Sequence, residues 1–209
     1  MLPHKPTQQI PMDLAPAPEF SFDNFVEAPS NLDALVLVKG WQLWPSPVLL
    51  LQGPSGAGKT HLGQAWLKQV EGGLFVDDAD CAVPQDVFTH INRALSGETG
   101  PLLLAAVLPP SAWSHNVPDL HSRMKNTATA TLQDPDDELL ESVTRKLFED
   151  NGRSVRQDLV QYLILRTPRS VPALRLCVKE IDAAARIDKA DLTKAFAARF
   201  LNTHPDLFV

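Results

Sequence analysis

A glycine-rich stretch, GPSGAGKT at residues 53–60, constrains the fold of this 209-residue chain more than any other feature. It follows the apolar run VLLLQ (48–52), which predicts a short buried strand, and it opens a segment that predicts an amphipathic helix over 60–70. A strand, a glycine-rich turn and a helix N-terminus together form a phosphate-binding loop, because the backbone N–H groups there point at an anion. An ordinary glycine-rich turn is the alternative, and this flanking context argues against it.

The residue types of the loop predict a nucleotide site. The glycines let the backbone curl around the β-phosphate, Lys59 reaches the β/γ oxygens, and the Thr60 hydroxyl binds Mg²⁺. The predicted nucleotide-binding residues of the loop are Gly53, Pro54, Ser55, Gly56, Ala57, Gly58, Lys59, Thr60 and His61.

Two acidic residues, Asp77 and Asp78, follow the apolar run LFV. A phosphate-binding loop needs a second acid that holds the metal, so Asp77 is predicted to support Mg²⁺ and Asp78 to polarise an attacking water. The alternative is that both aspartates only cap the next helix.

The order of the patterns predicts an α/β fold: a parallel sheet with helices on both faces. From Asp136 onward the sequence shows only helical periodicity, which predicts a lobe of about four helices. We therefore expect three regions: an extended proline-rich arm at 1–19, an α/β nucleotide-binding part at 20–133 and a helical lid at 134–209. The expected elements before the lid are helices at 31–40, 60–70, 84–95 and 118–124, and strands at 48–52, 74–78, 101–107 and 128–133.

Charge and hydropathy limit the function. The net charge of −6 gives no basic face for gripping DNA phosphates, so specific DNA binding is not expected. No apolar run approaches the roughly 20 residues that cross a bilayer, and no signal peptide opens the chain. With only two cysteines, far apart in sequence, the chain is expected to be a reduced, cytoplasmic protein without a membrane partner.

The pieces above, in this order and followed by a helical lid, resemble AAA+ ATPases, specifically the Hda family of short regulators related to the replication initiator DnaA. The segment FSFDNFVEAPSNLDAL (20–35) is similar to the family's entrance segment, which implies that Phe25 and Val26 lie beside the adenine of bound ATP or ADP. DnaA continues into a DNA-reading domain, and this chain, which stops at Val209, is expected to have no room for one.

The proline-rich arm contains QIPMDL (9–14), which resembles the sliding-clamp-binding peptide of the Hda family. The resemblance implies that Gln9 forms a hydrogen bond while apolar side chains fill a pocket on the clamp. The clamp-binding residues would be Gln9, Ile10, Met12 and Leu14. A plain linker is the alternative.

Only Glu71-Gly72-Gly73 separates the first helix after the loop from the acidic strand, where a further strand and helix usually lie. The AAA+ strand order is 5-1-4-3-2, so strand 2 is an edge strand and its loss leaves the nucleotide site in place. We infer that strand 2 and its following helix are missing, and with them contacts to single-stranded DNA. The segment 74–78 would then form a new edge.

The segment LPPSAWSHNVPDLHSRM (108–124) resembles the family's arginine-bearing helix, which implies that Arg123 acts on the γ-phosphate of a neighbouring molecule. The alternative is a surface arginine that pairs with Asp119 or Asp134. Two groups of a self-sufficient ATPase are absent: the strand after the acids ends in Ala105–Leu108 rather than in a polar sensor, and Pro172 stands where the lid arginine is expected. Arg169 and Arg175 flank that proline.

These features favour an adaptor bound to ATP or ADP and Mg²⁺, tethered to the clamp, that docks on DnaA and promotes hydrolysis of the initiator's ATP through Arg123. Self-association is also expected to be possible. An autonomous DnaA-like ATPase, a non-catalytic scaffold and, less well supported, a small-molecule kinase remain alternatives. Whether the protein hydrolyses ATP itself stays open at this point.

Overall fold

A computed structural model of the chain describes residues 20–113 and 118–208. Within these residues it contains four strands and eight α-helices. The strands are β1 (Val48–Gln52), β2 (Leu74–Val76), β3 (Leu102–Ala106) and β4 (Ala128–Thr131). The helices are α1 (Leu32–Lys39), α2 (Lys59–Leu67), α3 (Pro84–Leu95), α4 (Pro118–Lys125), α5 (Asp137–Asp150), α6 (Gln157–Arg166), α7 (Val171–Asp188) and α8 (Lys194–Thr203).

The four strands form one parallel sheet in the order β2-β3-β1-β4. This confirms the predicted fold class and the predicted loss of the edge strand, since the order is the expected one without its second strand. The register pairs Gln52 of β1 with Ala106 of β3 and with Thr131 of β4. The carboxyl ends of the three strands therefore lie side by side, at the edge where ligands bind in open α/β sheets.

Helices cover both faces of the sheet, which explains why β1 and β3 are apolar throughout. Side chains alternate between the faces. Leu49 and Leu51 pack with Leu62 and Trp66 of α2, together with α1, on one face. The opposite face is covered by α3 and α4, and its buried residues include Val48, Leu50, Leu102, Leu104, Val87, Ile91, Leu120 and Met124.

The new edge strand, β2, packs closely on α2. A Cβ atom at Gly63 of α2 would lie 2.1 Å from Cε2 of Phe75, so only glycine leaves room for the aromatic ring. Glycine inside a helix costs about 1 kcal/mol relative to alanine. Here that cost is offset by the packing of the half-buried Phe75 ring against the cluster that contains Leu62 and Trp66.

Several predicted boundaries were wrong by a few residues. Helix α2 ends at Leu67 rather than at residue 70, although Val70 is buried as its spacing predicted. Strand β2 ends at Val76 rather than at Asp78. The side chain of Asp77 accepts a hydrogen bond from Thr60 of α2. Asp78 adopts a left-handed backbone conformation with φ of 45°, which is incompatible with a β-strand.

Four helices, α5 to α8, follow the sheet, as the periodicity predicted. Their shared core is built from apolar residues of all four helices: Phe148, Leu159, Leu163, Cys177, Val178, Ile181, Ala185, Phe196 and Ala197. The predicted domain boundary at 133/134 remains a prediction. None of the helices in the described ranges is long and apolar enough to span a membrane.

Asp136 joins the helical part to the sheet part. Its Oδ1 accepts the N–H of Leu139 at 2.7 Å and so caps α5, and its Oδ2 accepts the N–H of Ser30 at 2.9 Å. Burial opposes ionisation of this carboxyl. These hydrogen bonds and the charge of Arg169 outweigh burial, and the pKa of Asp136 is lowered from its ordinary value of 3.8. One carboxylate thus fixes the first lid helix against the segment that precedes α1.

Asp136→Ala should lower the free energy of unfolding at pH 7 by about 1–2 kcal/mol, because it removes a helix cap. The folded-state pKa is depressed, so the stabilisation is complete above the ordinary pKa and is lost as the pH falls below 3.8 through the folded pKa. Urea denaturation at pH 7 and pH 3 measures this difference, which should shrink at pH 3. The control is Asp134→Ala, an exposed residue without a side-chain hydrogen bond in the described structure. An equal effect of both substitutions would contradict the assignment.

Candidate functional site

The glycine-rich loop leads from the carboxyl end of β1 to the N-terminus of α2, as predicted. Gly56 and Gly58 adopt positive φ angles of 75° and 100°, a conformation that side chains rarely allow. A Cβ at Gly58 would also lie 2.9 Å from the Phe25 ring. The first N–H groups of α2 have no partner within the helix, so the loop presents donors to an anion. Pro54, Ser55 and Ala57 complete the turn, and Ser55 is exposed.

Lys59 lies inside the loop rather than in solvent. Its side chain is buried, and its Nζ donates to the carbonyl oxygens of Gly53 and Pro54 at 2.9 Å each. A buried ammonium needs such partners because desolvation of an unpaired charge is costly. The loop therefore holds one positive charge at its centre, and a phosphate oxygen would compete for the same ammonium hydrogens.

The structure brings the predicted metal-binding residues together. The Thr60 hydroxyl donates to Oδ2 of Asp77 at 2.6 Å, and Oδ1 of Asp77 accepts the N–H of Asp78 at 3.1 Å. The residue before α3 is Val83, and no side chain caps that helix. This geometry disfavours the alternative in which the aspartates serve only as helix caps. Asp78 is exposed next to the pair.

These residues fit a nucleotide with Mg²⁺. A hydroxyl and one carboxylate suit Mg²⁺, which takes its other ligands from phosphates and water. Among the described residues, no cluster of three His, Cys, Asp or Glu side chains could hold a metal by itself. The donor set therefore fits a metal that arrives with phosphates rather than one bound by the protein alone.

The entrance segment packs against the first turn of α2 through His61. The rings of Phe20 and Phe25 each meet the imidazole edge-on at 5.4 Å, and the imidazole Nε2 donates to the carbonyl of Ser21 at 2.8 Å. Val26 packs on the Ala28, Leu139 and Val143 cluster that leads to α5, and its place beside the adenine stays a prediction.

Burial is the main cause of a lowered pKa for His61, although the hydrogen bond to Ser21 opposes it. The positive charges of Arg175, Lys146 and Lys68 lower this pKa further. Arg175 lies on α7 and Lys146 on α5, and Lys68 directly follows α2. Cationic side chains of the lid thus lie near the residue that directly follows the phosphate loop.

Pro172 in the first turn of α7 lies directly on the loop. A Cβ at Gly56 would be 2.4 Å from Cδ of Pro172, so the two residues are in van der Waals contact. Proline has no donor for a phosphate. Pro172, for which the sequence resemblance implied a lid arginine, therefore presents an apolar ring to the loop.

The two arginines beside Pro172 differ in their surroundings. Arg169 pairs with Oδ1 of Asp137 at 2.7 Å and also reaches the carbonyl of Pro135. Arg175 is exposed, and it forms no ion pair or hydrogen bond with any described residue. It follows Pro172 by three residues and so lies on the same face of α7. Arg175 rather than Arg169 is the available lid cation.

The end of β3 carries no polar side chain, but it has an acidic partner that the sequence reasoning missed. Asp80 lies three residues after Asp77, and its Oδ2 accepts the N–H groups of Val107 at 3.1 Å and Leu108 at 2.9 Å. The spacing of the acids in DDAD was the only signal for it. A sequence pattern does not show that this carboxylate reaches across to a neighbouring strand.

Arg123 lies on α4, where Leu120 and Met124 face the core and Arg123 is exposed. No hydrogen bond or ion pair joins its guanidinium to any residue in the described ranges, so the pairing with Asp119 or Asp134 is not formed there. Helix α4 covers the face of the sheet opposite to α2. Arg123 is thus carried on the far side of the sheet from the helix that begins at this chain's own phosphate loop.

No family model matches the chain. In an alignment 231 positions long, the chain is 24% identical to the chromosomal replication initiator protein DnaA of Nautilia profundicola, in a match that covers 90% of the chain and 53% of that protein. The chain thus spans about half the length of this relative. Domain III of Thermotoga maritima DnaA superposes with a TM-score of 0.74 at 19% identity, covering 90% of the chain and 97% of that domain.

The chain is thus similar to DnaA initiators in sequence and shares the fold of DnaA domain III. The AMPPCP-bound DnaA of Aquifex aeolicus has the same fold, with a TM-score of 0.66 and 18% identity over 78% of this chain and 65% of that one. In this chain the phosphate loop and Asp77 lie at the carboxyl edge of the sheet. The predicted clamp-binding residues 9–14 lie outside the described residues.

Arg175→Ala should weaken the affinity for ADP and ATP roughly tenfold, as expected for the loss of one charge-assisted hydrogen bond. Arg169→Ala is the matched control and should leave the affinity unchanged, because that arginine is held by Asp137. Lys59→Ala, which removes the charge at the centre of the loop, should lose at least as much affinity as Arg175→Ala. Isothermal titration calorimetry of the three variants tests this order, and an Arg169→Ala effect larger than that of Arg175→Ala would contradict it.

Proposed function

We propose that the protein is a nucleotide-bound regulator of replication initiation, which promotes hydrolysis of the ATP held by a DnaA-type initiator. The observation that carries this proposal is the state of Arg123, which is exposed and lies on the sheet face opposite to α2, and whose guanidinium forms no hydrogen bond or ion pair with any described residue. An arginine that reaches a neighbour's γ-phosphate neutralises charge in the transition state and raises the rate by about 10³–10⁵.

The protein's own site holds ATP or ADP in this proposal. The loop from Gly53 to Thr60 binds the phosphates, Lys59 exchanges its carbonyl partners for phosphate oxygens, and Thr60 and Asp77 hold Mg²⁺. Phe25, which contacts Gly58, lies beside the base. The bound nucleotide sets the shape of the protein and any self-association.

Hydrolysis by the protein itself is slow in this proposal. The end of β3 contributes no polar side chain, and Pro172 puts an apolar ring on the loop in place of a cation. Both features remove charge stabilisation from the transition state while they leave binding intact. The nucleotide then acts as a structural ligand, and Arg123 acts on the ATP of the partner.

Arg123→Ala should lower the stimulated hydrolysis of DnaA-bound ATP by about 10³-fold or to background, because a methyl group cannot neutralise charge on the γ-phosphate. Arg123→Lys should restore little, since an ammonium lacks the forked geometry. The measurement is single-turnover hydrolysis of DnaA-bound ATP with the protein, clamp and DNA present. Lys125→Ala, an exposed cation on the same helix, is the control and should retain stimulation. Full stimulation by Arg123→Ala would show that another residue is responsible.

We also propose that residues 9–14 tether the protein to the sliding clamp in the cytoplasm. Replacing Gln9, Met12 and Leu14 together by alanine should abolish co-elution with the clamp and leave the nucleotide affinity unchanged. Clamp binding can be lost without loss of nucleotide affinity, because the arm precedes the nucleotide-binding part in the sequence. A triple variant that still co-elutes with the clamp would identify the segment as a linker.

A second candidate function is an autonomous ATPase, and one observation favours it. Asp78 is exposed beside the Thr60–Asp77 pair, where it could polarise a water molecule. This candidate requires turnover by the protein alone, which an Asp78→Asn substitution would lower. Turnover that is absent in the wild type excludes it.

A further inference from the structure

A series of hydrogen bonds connects the acidic turn after β2 with the region that packs against α4. The turn is fixed by the N–H of Ala79, which donates to Ala105 of β3 at 2.7 Å, and by the N–H of Cys81, which donates to Asp78 at 2.8 Å. Asp80 lies between these two anchors. Its Oδ2 accepts the N–H groups of Val107 and Leu108, so the turn holds the chain where it leaves β3.

Leu108 continues the connection through its carbonyl group. That oxygen accepts the indole N–H of Trp113 at 2.8 Å. The backbone of Leu108 thus donates a hydrogen bond to Asp80 through its N–H and accepts one from Trp113 through its carbonyl. Without these two bonds, the exposed residues Val107 and Leu108 would have little to fix their backbone, because their side chains are not in the core.

Trp113 transmits this position to α4 by packing. Its ring is buried in the same cluster as Leu120 and Met124, the two core residues of α4. These two side chains lie on one face of the helix and flank Arg123 in sequence. A shift of Trp113 would therefore move the surface on which α4 rests, and the guanidinium with it.

The other oxygen of Asp80 forms no such bond. Oδ1 is buried and has no hydrogen-bond partner among the described residues. An unsatisfied buried acceptor costs roughly 1–3 kcal/mol. An apolar residue would avoid this cost, so the carboxylate is better explained by the two N–H groups that its other oxygen holds.

We propose that Asp80 and Trp113 are positioning residues, which fix the end of β3 and α4 so that Arg123 points at the nucleotide of the partner. The inference rests on the proposed role of Arg123 in trans. It adds that this role depends on a hydrogen-bond acceptor in the turn that directly follows Asp77 and Asp78.

The first experiment needs no partner: hydrogen exchange of the full chain, measured by mass spectrometry, for Asp80→Ala, Asp80→Asn and Trp113→Phe. Asp80→Ala and Trp113→Phe should each raise exchange several-fold across residues 118–125 and leave α8 unchanged. Asp80→Asn keeps an amide oxygen as acceptor, so it should resemble the wild type. Wild-type exchange of 118–125 in Asp80→Ala would overturn the proposal.

The second experiment titrates each variant against DnaA-bound ATP with clamp and DNA. Asp80→Ala should lower the maximal stimulated rate by on the order of tenfold to hundredfold, because misplacing a catalytic group costs about that much. The concentration for half-maximal stimulation and the protein's own nucleotide affinity should not change. Asp86→Ala, a nearby exposed acid, is the control and should behave as the wild type.

Two further outcomes separate the possible failures. Asp80→Ala combined with Arg123→Ala should be no slower than Arg123→Ala alone, because the two residues act as one unit. If Asp80→Asn loses nucleotide affinity as much as Asp80→Ala, the carboxylate belongs to the protein's own nucleotide site and the positioning role is overturned. A wild type that gives no stimulation contradicts the proposed function, whereas the exchange experiment still decides whether Asp80 and Trp113 hold α4.

Discussion

The pairing of β1 with both of its neighbours is the constraint on which the rest of the structure depends. Leu49, Leu50 and Leu51 are fully buried, and the strand is hydrogen-bonded to β3 and β4 along its length. The ladder continues past the strand end, where the N–H of Gly53 donates to Ala106. The phosphate loop therefore begins from a strand that is paired on both sides, and Asp77 and the end of β3 lie at the same edge of the sheet.

The shortened sheet shows which parts of this fold are dispensable. An outer strand contributes pairing on one side only, so its removal costs less than the removal of a central strand and leaves the register of β1 and β3 unchanged. The price is an exposed edge at β2, which is kept to three residues. Phe75 secures this short strand by packing on Gly63, so the side-chain contact replaces part of the missing pairing.

Local patterns predicted the elements and the phosphate loop, because their causes lie within a few residues. The apolar runs of β1 and β3, the first-turn proline of α3 and the GKT tripeptide needed no distant partner. Features that join distant segments could not be predicted in the same way. Asp80 reaches a strand end 27 residues away, and Pro172 meets Gly56 only after the lid has folded. Likewise, the sequence could not show that Arg169 pairs with Asp137 and that Arg175 is therefore the unpaired one of the two among the described residues.

In the proposed function, the positions of the cations explain how nucleotide binding and catalysis separate. Lys59 satisfies its charge inside the loop, and the Pro172 ring contacts Gly56, so under this proposal the site holds a nucleotide with a proline rather than a cation at position 172. Helix α4 differs, since Leu120 and Met124 are its core contacts and its other face is exposed. When a partner's phosphate displaces the water around this guanidinium, the net desolvation cost is small, because charge-assisted hydrogen bonds compensate for it. Under this proposal, one sheet carries the nucleotide-binding loop at its carboxyl edge and an exposed arginine on the face opposite to α2.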